Sequence, residues 1–221
     1  MHPRFHSLAL SVMAGTVLAA AALCASAGEL SVTVKASGGG GVAGALVVAE
    51  PAQATPRAAA TQHAVMDQRN LLFVPELLVV RAGALVECPN SDQVRHQVYS
   101  FSGAKNFQLP LYAGRTQAPV LFDKPGLVTL GCNIHDNMIG FIYVSDTPWF
   151  GRTDADGTLR IRDLPAGEYV LRVWHPLIDE TGPQLEQRVT VGDGTTAAFR
   201  LQRALRQPLM HHGADKKWED Y

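Results

Sequence analysis

The rhythm of the apolar residues constrains this chain more than any other feature. Beyond residue 27, short runs rich in Val, Ile, Leu and Tyr alternate with Gly, Pro, Asn and Asp, and almost no helix is expected. That rhythm belongs to an all-β sandwich, in which each strand buries one face and the turns recruit residues with unusual backbone freedom. Strands are expected at 30–36, 45–50, 77–81, 84–88, 97–101, 120–122, 126–132, 139–144, 158–162, 167–174, 185–191 and 196–201. The run GGGG at 38–41 suits a flexible turn, and PAQATPRAAATQ at 51–62 reads as a linker.

With 221 residues, 47% of them hydrophobic and 18% charged, the chain can bury a substantial core in one or two domains and is too apolar to be disordered. A net charge of −1 gives no polybasic surface, so nucleic acid is not an expected partner. At the N-terminus, Arg4 precedes the apolar run LALSVMAGTVLAAAALCA, and Ala25-Ser26-Ala27 matches a small-residue cleavage site. Residues 1–27 are therefore expected to be a signal peptide, with a mature chain from Gly28 in the periplasm and no membrane span after cleavage. An uncleaved anchor is the weaker alternative, since the apolar run is marginal for a bilayer. A lipoprotein reading through Cys24 is weaker still. Export leaves Cys88 and Cys132, which an oxidising compartment could pair. Against pairing, Cys88 alternates with Ala84 and Val86 as a core residue would, and Cys132 has other company.

The C-terminal third, TDADGTLRIRDLPAGEYVLRVWHP, combines an Asp-Gly turn, a strand, a Pro-Ala-Gly turn and a second strand. Leu159 and Ile161 form one alternating face; Tyr169, Leu171 and Val173 form another. Asp154, Asp156 and Gly157 read as a turn, because no Glu follows at the offset a calcium loop needs. The stretch resembles the carboxypeptidase regulatory-like domain, a small transthyretin-like sandwich, through T-D-x-x-G followed by L-P-x-G-x-Y. LSVTVKASGGGGVAGALVVAEP, upstream, looks like the opening hairpin of the same sandwich. The favoured parse is a domain split into 28–62 and 148–203, with 63–147 inserted and 204–221 as a tail. A simple tandem is the competing parse.

The middle segment carries the distinctive chemistry. GCNIHDNMIG, at 131–140, places Cys132, His135 and Met138 at intervals of three, and each side chain can donate to a soft or borderline metal. His96 lies 36 positions before Cys132, a separation that strands sharing one end of a sandwich can close. Two imidazoles and a thiolate would form a trigonal plane, with the thioether as a long axial contact; that is a mononuclear blue-copper ligand set. Such a site changes little between Cu(II) and Cu(I), so it suits a carrier of single electrons better than a catalyst.

At these residues the sequence resembles the cupredoxins. Asn90 followed by His96, on a segment ending in Tyr99 and Phe101, looks like their first-ligand strand. FDKPGLVTLGCNIHDNM looks like their closing strand and ligand loop, in the short Cys-x-x-His-x-x-Met form. The combination with a regulatory-like module also resembles periplasmic proteins labelled methylamine utilisation proteins. The resemblance implies a Greek-key sandwich, one copper, and redox proteins as partners. It implies that His96 and His135 coordinate through ring nitrogens, Cys132 through sulfur and Met138 axially. Two positions depart from the family pattern. Gln97 stands where Asn usually follows the first His, leaving Asn90 to hold part of the ligand loop. Gly131 replaces a bulkier residue before the Cys, which would leave the sulfur more open.

Other readings compete. Zinc accepts Cys and His, but Met is a poor ligand for it. Copper storage or delivery would use the same four residues. A non-metal adhesion or scaffold sandwich needs none of them. No Ser-His-Asp order, nucleophile elbow or paired carboxylate points to an enzyme. His63, His175, His211 and His212 have no comparable partners, and Asp136 reads as a solvated loop acid. The apolar stretch Leu109-Pro110-Leu111-Tyr112 is either a docking patch near His135 or a segment packed against the second sandwich.

Overall fold

The computed structural model describes residues 27–53, 62–114, 118–179 and 181–207. The expected leader up to residue 26, most of the linker, and His211 and His212 lie outside them. The described chain is all-β, with one short 3-10 turn at Pro183–Leu185. Among the described residues, no helix is long and apolar enough to cross a membrane.

The chain opens with β1 (Ala27–Lys35) and β2 (Leu46–Pro51). Short strands follow: β3 (His63–Val65), β4 (Asp67–Arg69), β5 (Leu72–Val74), β6 (Leu77–Arg81) and β7 (Ala84–Glu87). Next come β8 (Tyr99–Phe101), β9 (Asn106–Gln108), β10 (Val120–Phe122), β11 (Gly126–Cys132) and β12 (His135–Ser145). The last strands are β13 (Phe150–Arg152), β14 (Thr158–Pro165), β15 (Gly167–Trp174), β16 (Glu186–Val191) and β17 (Thr195–Arg200).

The first strands pair with the last. β1 lies between β14, antiparallel, and β17, parallel; β2 lies between β13 and β15, with β16 beyond. Alternation explains the layer between these two sheets. Leu30, Val32 and Val34 of β1 face inward, as do Tyr169, Leu171 and Val173 of β15, while Arg172 and Val170 between them do not. Each such side chain contributes about 1.5–3 kcal/mol when fully buried. Thr153 ties the early strands to the C-terminal third of the chain. Its hydroxyl donates to the Val42 carbonyl at 2.6 Å and accepts the Ala45 N–H at 2.9 Å.

The middle strands build a second core. A five-stranded sheet runs β6-β12-β11-β8-β9, and a three-stranded sheet runs β10-β7-β3. Val128, Leu130 and Cys132 of β11 alternate inward, as do Met138, Ile142 and Val144 of β12. β2 reads as an unbroken apolar run because both its faces are covered. Val47 and Ala49 join the first core, while Leu46 and Val48 meet Leu77, Phe141, Tyr143 and Trp174 at the junction of the two bodies.

Five strands were not expected from sequence: β3, β4, β5, β9 and β13. Each has three residues, too few to display a period, and pairing with distant partners forms them. The expected strand at 97–101 begins only at Tyr99. That at 139–144 begins earlier, at His135, so the expected ligand loop is mostly strand. Cys88 is buried in the middle core, and neither it nor Cys132 is in a disulfide. Asp154 makes the expected turn, its carboxylate accepting the Asp156 and Thr158 N–H groups.

Candidate metal centre

Strands β11 and β12 form a hairpin whose tip is Asn133-Ile134. A register shift between Gly131 and Cys132 sets Cys132 opposite His135. A bulge of this kind re-aims a side chain at the end of a ladder, and here it brings a thiol and an imidazole to one point. Three residues on, Met138 turns inward beside Cys132 in the same core and is fully buried.

His96 arrives from an irregular segment that is nevertheless pinned. Its N–H donates to the Tyr112 carbonyl and its carbonyl accepts the Tyr112 N–H, both at 2.9 Å. The Asn90 side chain donates to the carbonyls of Val94 and Tyr112, each at 2.9 Å, and accepts the Asp92 N–H at 2.9 Å. Asn90 therefore organises the segment carrying His96 and not the Cys132 hairpin, contrary to the sequence expectation. The stretch 109–112 is the strap that pairs with this segment. Leu109 and Tyr112 pack on the middle core, not on the other sandwich, and Leu111 is left exposed.

The three donors converge. His96 Nδ1 lies 3.1 Å from His135 Nδ1, and Cys132 Sγ lies 3.8 Å and 3.6 Å from those two atoms. A circle through three points so spaced has a radius of about 2.0 Å, close to metal–nitrogen bonds of about 2.0 Å and a metal–sulfur bond of about 2.3 Å. The triangle is thus of a size that could hold one ion. His96 is fully buried, Cys132 is buried and His135 is half-buried, so the imidazole of His135 is the solvent-facing edge.

The electrostatics favour a ready thiolate. Burial pushes the Cys132 thiol up. Hydrogen bonds from His96, from the backbone N–H groups of Gln97 and Ile134, and from His135 outweigh it and hold the thiol at about 6. Burial pulls the His96 imidazolium down, but Cys132 and Asp92 lift it above its ordinary value. The Gln97 contribution is a backbone one, which any residue at that position could make.

Gly131 does not leave the sulfur open. A Cβ there would sit 2.7 Å from the ring of Tyr99, so the aromatic ring occupies the space of the missing side chain. Cys132 and Met138 instead line a cleft of about 390 Å³ with Tyr99, Phe101 and Thr129. A second close approach places a supporting element. A Cβ on Gly140 would meet Phe73 at 2.6 Å, and that contact lays the β4–β5 hairpin against β12.

Sequence reasoning missed Asp92. Its Oδ2 lies 2.7 Å from His96 Nε2, and its carboxylate accepts the Asn70 N–H at 2.5 Å and the Leu71 N–H at 3.0 Å. Asn70 and Leu71 form the two-residue tip of the β4–β5 hairpin, with φ of 54° and 59°. Asn suits that conformation; a leucine there costs on the order of 1 kcal/mol. The Asp-x-x-x-His spacing was visible, but outside a helix it implies no contact. His63 and Asp136 are exposed, and His175 falls just past the end of β15.

Neither a family model nor a curated protein matches the chain. Solved structures do resemble part of it. A purple cupredoxin from Nitrosopumilus maritimus is 21% identical over 38% of this chain and 99% of its own, with a TM-score of 0.33. A copper-containing nitrite reductase from Thermus scotoductus SA-01 is 24% identical over 43% of this chain and 25% of its own, with a TM-score of 0.36. An amicyanin variant with Cu(I) is 20% identical over 38% of this chain and 82% of its own, with a TM-score of 0.35.

Proposed function

We propose that this is a mononuclear copper protein of cupredoxin type that passes single electrons between redox partners. His96 and His135 would hold the ion through ring nitrogens, Cys132 through its thiolate and Met138 through its thioether. What carries the reading is the convergence of one thiol and two imidazole nitrogens on a triangle of ion-binding size. Copper bound there would supply one-electron cycling between Cu(II) and Cu(I).

The residues make such cycling inexpensive in rearrangement. Cys132 is already poised as a thiolate, so the ion displaces little proton affinity. His96 is held by its backbone on one side and by Asp92 on the other, which restrains its movement with a change in ion size. His135, half-buried at the hairpin tip beside the exposed Ile134, is the edge over which a partner would exchange electrons. Met138 argues against zinc, for which a thioether is a poor donor.

The same reading assigns residues 63–147 to the cupredoxin unit, inserted into a carboxypeptidase regulatory-like sandwich formed by 28–62 and 148–203. Supporting it, β1 and β2 share a core with β14–β17, while β5, β6, β7, β10, β11 and β12 share another. The leader at 1–27 would direct export to the periplasm.

The test is to add Cu(II) to the mature protein and record absorption and paramagnetic resonance spectra, with Cys132→Ser as control. An intense thiolate-to-copper band, absent from the variant, is expected. A wild-type protein with no such band, or a variant that retains it, ends the proposal.

A further inference from the structure

The proposed donors leave one partly buried group unexplained: the carboxylate of Asp92, behind the ring of His96. Three nitrogens approach its two oxygens. The Asn70 N–H reaches Oδ1, while the Leu71 N–H and His96 Nε2 reach Oδ2. A carboxylate can accept from all three; an amide would have to turn its own N–H₂ toward at least one of them. Consecutive left-handed residues aim their N–H groups at one side, and such a concavity holds an anion. The hairpin that forms it is fixed to the metal-bearing strand by Phe73 over Gly140.

We propose that Asp92, clamped by the Asn70–Leu71 turn, is the positioning residue of the metal centre: it keeps a proton on Nε2 of His96, makes Nδ1 the nitrogen that exchanges its proton for the ion, and places a carboxylate one ring away from the ion. The proposal rests on the copper reading for its effect on the metal, but its claim about the His96 proton stands without metal. A carboxylate behind a ligating imidazole fixes the ring and raises its basicity, and losing such a partner typically weakens metal binding by about 10–100-fold. Its charge also favours the more highly charged oxidation state.

Two measurements test this. In the metal-free wild-type protein, nitrogen-15 correlation spectra at neutral pH are expected to show a slowly exchanging proton on Nε2 of His96. Asp92→Ala, which removes the acceptor, is expected to lose that protection; a wild-type ring bearing its only proton on Nδ1 overturns the proposal even if no variant folds. In the copper-loaded protein, Asp92→Ala and Asp92→Asn are expected to bind Cu(II) at least about tenfold more weakly and to show a higher reduction potential. A smaller loss of affinity in folded variants, or a potential that stays or falls, also overturns it. A residue with only a structural role would lower stability without moving the proton or the potential. Failure of the wild-type protein to bind copper would sink the electron-transfer reading and leave the proton measurement to decide the role of Asp92.

Discussion

The two cores of this protein are made from similar strands, but they bury different things. The layer between the β1 and β2 sheets is apolar, with Thr153 as the buried polar side chain that closes it. The middle body buries Gln68, Asn90, His96 and Ser100 in or beside its core. An apolar layer needs volume and shape, and it tolerates exchanges that keep both. A layer with buried polar groups needs each of them partnered, because an orphaned group costs about 1–3 kcal/mol. The first core holds the chain ends together, and the second holds donor atoms in place. The two cysteines show the same contrast within one cluster. Burial alone acts on Cys88 and pushes its thiol up to about 12, while donors around Cys132 bring it down to about 6.

The largest expected effect separates those two thiols. At pH 7 the metal-free protein should be alkylated at Cys132 orders of magnitude faster than at Cys88, because the thiolate is the nucleophile; mass spectrometry of the modified peptides reads the ratio. Comparable labelling of both would remove the distinction. The pH dependence follows in sign. The Cys132 folded value lies below its ordinary 9.0, so the thiolate stabilises the fold fully above that value. This contribution is lost as pH falls through about 6. Urea titrations of the metal-free protein across that window, with Cys132→Ser as the flat reference, check it.

Next in size is a cavity in the apolar core. Leu171→Ala is expected to cost about 2–5 kcal/mol of stability in urea unfolding while leaving copper affinity within about twofold, since residue and site belong to different cores. Strong loss of copper binding in a folded variant would show that the cores are coupled. Gly131→Ala should cost about 1–3 kcal/mol through its clash with Tyr99. Combining it with Tyr99→Ala should recover part of the loss; an additive double variant would count against the contact. The smallest effect is expected from Tyr112→Phe, about 1 kcal/mol in thermal unfolding. It removes the hydroxyl that joins Gln68 to the Cys88 carbonyl.

Much of this was legible in the residues, for identifiable reasons. The inward faces of β7 and β15 could be read because apolar residues alternate along them, Ala84 with Val86 and Tyr169 with Leu171 and Val173. Cys132, His135 and Met138 stood out through shared donor chemistry at short spacing. Strands β3, β4, β5, β9 and β13 could not be read, because their pairing is decided by partners far away in sequence. Asp92 was hidden for a related reason. Its contact with His96 depends on an irregular segment shaped by Asn90 and Tyr112, and on a hairpin 21 residues upstream of it. Gly131 misled because a missing side chain reads as space, whereas Tyr99 fills it.

The clasp at Thr153 has a consequence for how the chain assembles. It joins positions 108 and 111 apart in sequence, so the outer layer can close only after most of the chain is available. Closing so long a flexible loop is entropically costly and slows folding. A folded middle body shortens the path. Its N–H of Leu85 bonds the Gln62 carbonyl, and its N–H of Ala82 bonds the Ser145 carbonyl, which keeps its entry and exit near one sheet edge. Loop-closure entropy therefore favours an order in which the part that holds the donors condenses first and the outer layer closes around its base.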